Sequence, residues 1–288
     1  MAVPMSETIP ARPQRTARPA RAVQYVLLLG IAAVFIGPLY WLLTTALKAP
    51  DEIYQFPPAW WPSRLTWENF GLAWDAAPFG RFFLNSTIAT VAGTALKVAN
   101  AVLTAYAFVY LRFPFKNALF LVILGAMMVP GHVTLLPNYL TVATLGWINT
   151  YAGLIIPGIG SAFATFLMRQ HFRTLPREVT DAASVDGAGH LRTLWQVVLP
   201  MSRPMLVTVV VITAVEEWNN FVWPLIVTNT AEMRTLPVGL LILKDQEGLS
   251  NWGTIMAGTL VVLAPMLVIF FVAQRWIVGG ITAGAVKG

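Results

Sequence analysis

Asp181-Ala182-Ala183-Ser184-Val185-Asp186-Gly187-Ala188, closing on Leu199-Pro200, is a charged, small-residue stretch stranded between long apolar segments. Its neighbours decide the fold class. The 288-residue chain is 57% hydrophobic and 11% charged, and its mean hydropathy is +0.65. A soluble domain carries about 25% charged residues, so the composition reads as an all-α, polytopic membrane protein. An island this polar, kept on one side of a bilayer, fits a surface offered to a soluble partner.

Spanning a bilayer takes about 20 mainly apolar residues in helix. Six segments meet that length, at about 23–47, 84–110, 117–136, 148–170, 203–228 and 253–278. Pro130-Gly131-His132 interrupts the third, and a break near its end, lining a path, is expected. With the N-terminus inside, thirteen Lys and Arg fall on the inner side: Arg12, Arg15, Arg18, Arg21, Arg112, Lys116, Arg169, Arg173, Arg177, Arg192, Arg203, Arg275 and Lys287. The outer side holds Lys48, Arg64, Arg81, Arg234 and Lys244. The positive-inside rule then puts both termini in the cytoplasm. The expected organisation is a disordered basic tail over 1–22, a transmembrane domain over 23–278 and a cytoplasmic tail over 279–288. Within the domain lie an external segment at 48–83 and a cytoplasmic loop at 173–202.

The net charge of +6 does not point to nucleic acid, because the basic residues lie between apolar spans. The Arg-bearing N-terminus is too polar for a signal-peptide core. There is no cysteine, hence no disulfide, thiolate metal site or cysteine nucleophile. No pair of histidines, or histidine and carboxylate, has metal-ligand spacing on one helix. His132 reads as a polar group at a helix break, and His171 and His190 as residues of the cytoplasmic face.

The external segment carries Tyr54, Phe56, Trp60, Trp61, Trp67, Phe70 and Trp74. An interfacial aromatic belt and a docking surface for an external partner both fit, and residues 229–252 offer a second such surface. In the inner loop, Pro176 suits a first helical turn, with Glu178 and Asp181 near the positive end of the dipole. Gly187 and Gly189 are expected to supply a sharp bend. A second helix is expected to present Leu191, Leu194, Trp195 and Val198 as one apolar stripe and to end at Pro200, with Pro204 opening the next span. Ala182, Ala183 and Ala188 let another surface approach the backbone, while Asp181 and Asp186 suit helix capping or a basic partner. An amphipathic connector lying on the membrane is the rival reading.

The spacing resembles the EAA loop of ABC-importer permeases: Glu-Ala-Ala, three residues, Gly, nine residues, then Ile-x-Leu-Pro. Here the anchors are Asp181, Ala182, Ala183, Gly187, Val197, Leu199 and Pro200, with Asp for Glu and Val for Ile as departures. Leu111–Pro114, Met128–Pro130, Phe166–Phe172, Trp218–Pro224 and Arg234–Gly239 resemble carbohydrate-uptake permeases related to the smaller subunit of the maltose system. Asp51–Tyr54 through Trp61-Pro62, Asn251-Trp252-Gly253 and the ending Thr282–Gly288 are most similar to the E-type branch for glycerol-3-phosphate and glycerophosphodiesters.

The resemblance implies a type I ABC-importer permease fold. It implies a heterodimer with a second homologous permease, a dimer of ABC ATPase subunits and an extracytoplasmic substrate-binding protein. It makes the loop a coupling helix seated in the ATPase and brings the C-terminal tail to the same interface. The chain has no G-x-x-x-x-G-K-[ST], so it is expected to be non-catalytic, binding no cofactor itself, with ATP and Mg on the partner. A sugar or oligosaccharide of maltose or trehalose type is the alternative cargo. A secondary transporter and an intramembrane enzyme are the rival classes: the first leaves the loop without purpose, the second lacks an H-E-x-x-H motif or a serine constellation.

Ionisable groups inside a span are functional candidates. Lys97 lies near the centre of the second segment, and Glu216 and Glu217 lie deep in the fifth. Two readings stand open: a Lys–Glu pair that locks two helices, and a substrate path in which Lys97, Glu217, Asn219 and Asn220 meet a phosphate or hydroxyls.

Overall fold

A computed structural model describes residues 18–247 and 251–283. Most of the expected basic tail, with Arg12 and Arg15, and the chain end with Lys287 lie outside the described residues. Those described form helices and connecting turns, with no strand.

The principal helices are α1 (Arg18–Ala46), α2 (Glu68–Ala76), α3 (Phe79–Tyr110), α4 (Lys116–Met127), α5 (Leu135–Thr144), α6 (Tyr151–Ile155) and α7 (Ala162–Phe172). They continue with α8 (Arg177–Val185), α9 (His190–Met201), α10 (Arg203–Trp218), α11 (Val222–Val227), α12 (Leu236–Glu247) and α13 (Trp252–Ala283). Three stretches are single helices long and apolar enough to cross a bilayer: Ala22–Ala46, Phe79–Tyr110 and Trp252–Phe271. The other apolar regions are bent. Lys116–Met127 meets Gly131–Thr144 at 94°, Tyr151–Gly158 meets Ala162–Phe172 at 47°, and His190–Met201 meets Arg203–Trp218 at 86°.

The breaks have local causes. The first falls at Pro130, which lacks the N–H a continuing helix needs. At the second, Ser161 accepts a hydrogen bond from the Ala164 N–H at 3.2 Å and starts α7 afresh. Thr150 does the same for α6 through the Gly153 N–H at 3.1 Å. The fifth apolar segment does not run as one helix from 203 to 228. It ends at Trp218, where the run Glu-Glu-Trp-Asn-Asn turns polar, and resumes as α11. The second segment starts earlier than expected, at Phe79, directly after Pro78.

Two large cores hold the bundle, and a smaller third forms around Val142, Leu154 and Val227. At one end Phe79 and Phe82 of α3 pack with Ala46, Trp218, Leu236, Leu243 and Ala257. At the other, Val98, Ala101 and Ala105 of α3 pack with Met168 and Phe172 of α7, Leu194 and Val198 of α9, and Val209 of α10. Small residues let these backbones close up. At Gly239 a Cβ would lie 2.2 Å from the Phe82 ring, so that approach of α12 to α3 requires glycine. α1, by contrast, leaves Leu29, Val34 and Phe35 exposed, as a helix facing lipid or a partner does.

Candidate functional site in the exposed loop and the polar groups of the bundle

α8 has no buried residue. Its N-cap is Pro176, and Glu178 stands in its first turn. Its far end is a complete Schellman closure. The Ala188 N–H donates to the Ala183 carbonyl at 2.9 Å, and the Gly187 N–H donates to Ser184 at 3.1 Å. Gly187 sits at φ +77°, a left-handed conformation that favours glycine. Gly189 differs from expectation: at φ −70° and ψ 165° it is the N-cap of α9, in backbone angles any residue adopts. Asp186 is the C-cap of α8. Ala182 is exposed, and Ala183 and Ala188 are half-buried. Asp181, in mid-helix and exposed, has no hydrogen-bond or ion-pair partner among the described residues.

The expected apolar stripe of α9 divides. Leu194 and Val198 are buried in the core with Leu199, whereas Leu191 and Trp195 are 68% and 67% exposed. A π turn over Leu194–Val198 causes the division, because it shifts the side-chain period within the helix. The same turn explains a second departure. Pro200 does not end the helix, which continues to Met201 before the bend at Ser202. In an α-helix the proline ring would collide with the carbonyl four residues back; the wider turn ahead of it relieves that contact.

α9 is tied to the bundle by a polar contact as well: the His190 ring lies 3.3 Å from the Tyr106 hydroxyl of α3. Beside it α3 and α7 are joined, the Tyr110 hydroxyl donating to the Phe172 carbonyl at 3.2 Å. The loop is therefore an exposed helix, α8, carried on an anchored one, α9. Val179, Val185, Leu191 and Trp195 stay uncovered around it.

Of the four polar candidates in the membrane region, Lys97 and Glu217 are brought together as an ion pair, both side chains largely buried. The pair sits where three elements meet. A Cβ on Gly93 would stand 3.1 Å from the Glu217 carboxylate, and one on Gly158 would stand 3.6 Å from the Lys97 stem. Asn219 and Asn220 do not join it. The Asn219 amide returns to the Val215 carbonyl at 2.9 Å, and the Asn220 N–H donates to Glu217 at 3.2 Å. Glu216 is exposed on α10.

Other polar residues, which sequence patterning did not single out, organise the opposite end. Asn85 is fully buried in α3; its amide donates to the Glu232 and Arg234 carbonyls at 2.7 and 2.9 Å. It also accepts from the Tyr151 hydroxyl at 2.7 Å. Asn69 donates to the Ala46 and Lys48 carbonyls at 3.0 and 2.8 Å. An asparagine in an apolar run was the available signal, since such a group must find partners. Around this staple Phe56, Trp60, Trp61 and Trp67 are exposed. Glu52 accepts from the Ser63 hydroxyl and, at 3.1 Å, from the Ser63 N–H. The hydroxyl bond, chiefly, holds its carboxyl below the usual range against the opposing effect of burial.

A family model described as the inner membrane component of binding-protein-dependent transport systems matches residues 97–282. The chain is 36% identical over 263 residues to the sn-glycerol-3-phosphate transport system permease protein UgpE of Yersinia pestis bv. Antiqua, covering 89% of this chain and 93% of that protein. It is equally similar, over the same shares, to UgpE of Escherichia coli O1:K1. Among solved structures, a bacterial ABC transporter involved in import of the acidic polysaccharide alginate superposes with a TM-score of 0.81 at 22% identity. The match covers 92% of this chain and 99% of that one. A complex of the alginate transporter with a pentasaccharide-bound periplasmic protein gives 0.63 at 13% identity, over 90% and 96%. These two establish the fold, that of ABC-importer permeases. By sequence over most of its length and by fold, the chain belongs to the inner membrane components of binding-protein-dependent transport systems.

Proposed function

We propose that this chain is one permease subunit of an ATP-driven importer for sn-glycerol-3-phosphate or its diesters. The observation that carries the substrate class is the 36% identity to UgpE over nearly the whole of both chains. The permease role is supported by α8, which has no buried residue yet is carried on a helix anchored in the bundle core through Leu194, Val198 and Leu199.

In this reading both termini face the cytoplasm and six segments span the bilayer, three of them bent. A second homologous permease completes the pathway, and an external binding protein delivers substrate near the aromatic segment over 48–83. Two ATPase subunits hold ATP and Mg and receive Asp181, Ala182, Ala183, Asp186, Gly187 and Ala188, with Leu199 and Pro200 fixing the loop to the bundle. ATPase closure pushes α8, and α9 passes the displacement through Leu194 and Val198 to α3 and α10. The outcome is rocking of rigid elements about a midplane pathway. Lys97 and Glu217 serve there as a lock between α3 and α10. The paired lysine has spent its charge on Glu217, which makes it a weak phosphate ligand.

Proteoliposomes holding the four-subunit complex test the reading. ATP hydrolysis should rise when binding protein loaded with sn-glycerol-3-phosphate is added. Stimulation by a maltose- or trehalose-loaded protein instead would move the substrate to the sugars. Uptake by this chain alone would make it a secondary carrier.

A further inference from the structure

At the loop-bearing end, a cleft of about 700 Å³ opens between the end of α3, the start of α4, the end of α7 and α8. Five cations line it: Arg112, Lys116, Arg169, Arg173 and Arg177. Asp181 is the one carboxylate on its wall, and it forms no ion pair with them. Two of the cations are recessed and held in place. The Lys116 ammonium donates to the Val109 and Leu111 carbonyls at 3.1 and 2.8 Å, which leaves one of its three donors for a ligand. The Arg169 guanidinium lies 3.7 Å over the Phe120 ring, and its Nε is buried without a hydrogen-bond partner.

Like charges gathered in a half-buried cleft repel one another, and an anion relieves them. Arginine and lysine together suit phosphate, the first through its planar fork and the second as a point charge. A free anion would use only this polar floor. The helix that forms one wall adds something else: α4, which contributes Lys116 and Asn117 to the lining, also carries Phe115 at its cap and Leu119 and Val122, all exposed outside the lining. A ligand with a phosphate head and acyl chains meets both features. Basic pockets between transmembrane helices take up such headgroups.

We propose that this cleft binds the phosphate headgroup of an anionic phospholipid. Because Arg173, Arg177 and Asp181 belong to the coupling loop or its base, a lipid seated there braces the loop against α3 and α7.

The test is the phospholipid retained by the full complex after extraction from vesicles of phosphatidylethanolamine and phosphatidylglycerol, counted by mass spectrometry. Wild type should retain phosphatidylglycerol in excess over its share of the bilayer. In Lys116→Gln/Arg169→Gln the binding should weaken about 25-fold, at about fivefold per cation lost. Arg169 packs on Phe120, so Arg112→Gln/Arg173→Gln, two exposed positions, provides a second variant with the same expected direction. Arg64→Gln, at the opposite end, should change nothing. Unchanged retention in both double variants would overturn the proposal. Complete displacement by millimolar inorganic phosphate would assign the cleft to the free anion instead. Release of the lipid whenever ATPase subunits bind would assign it to an acidic face of that partner, which also overturns it.

Discussion

Gly187 and Lys97 show two ways in which one residue fixes this structure. At Gly187 the constraint is backbone: φ +77°, with open space where a Cβ would stand. Gly187→Ala therefore costs strain of about 1–2 kcal/mol rather than a clash, and Gly189→Ala, at ordinary angles, costs far less. Hydrogen exchange at the Ala188 amide should rise in the first variant and stay near wild type in the second. At Lys97 the constraint is charge. Lys97→Met leaves Glu217 buried and unpaired, a loss of about 3–5 kcal/mol. Lys97→Met/Glu217→Leu should recover most of it, and melting of the purified complex checks both. Recovery of the fold with normal import in the double variant would confine the pair to a structural role. Glu52 gives a pH effect of definite sign. Its folded pKa lies below the unfolded one, mainly through the Ser63 hydroxyl. Its contribution is therefore complete above about pH 4.3 and is lost as pH falls through the depressed folded value. Acid titration of tryptophan fluorescence should show that transition shifted to higher pH in Ser63→Ala.

At the scale of elements, the loop is two helices with different duties. α9 is anchored by burial, and α8 is exposed. Leu194→Ala removes a buried side chain and should destabilise by about 2–5 kcal/mol. Trp195→Ala, next to it in sequence but 67% exposed, should leave melting close to wild type. Periodicity in the sequence marked this helix and its apolar residues but placed all four on one face. The π turn at Leu194–Val198 is invisible to a fixed period, and it both splits the stripe and carries the helix past Pro200. The break at Pro130 was legible because proline acts locally. The end of α10 at Trp218 was not, because hydropathy averaged the polar Glu-Glu-Trp-Asn-Asn run into its apolar flanks. The partners of Asn85 were equally hidden, since Glu232 and Arg234 lie about 150 residues away in sequence.

For the whole molecule, the central proposal is that a membrane bundle lacking the G-x-x-x-x-G-K-[ST] motif takes its energy through one exposed helix. The chain has no cysteine, so single cysteines report topology cleanly. Ser184→Cys on α8 should label only from the cytoplasm, and Asp75→Cys on α2 only from outside. The EAA-like spacing of Asp181 through Pro200 made the family legible from sequence, because its small residues and its turn lie together in one short stretch. The anchoring of α9 in the core was not legible, since it depends on α3, α7 and α10 converging. The most direct measurement is substrate-stimulated ATP hydrolysis by the purified four-subunit complex carrying Gly187→Pro or Asp181→Lys. The account predicts that the variants insert and pair with the second permease, yet lose stimulation by loaded binding protein. Stimulation at the wild-type level in both would contradict it.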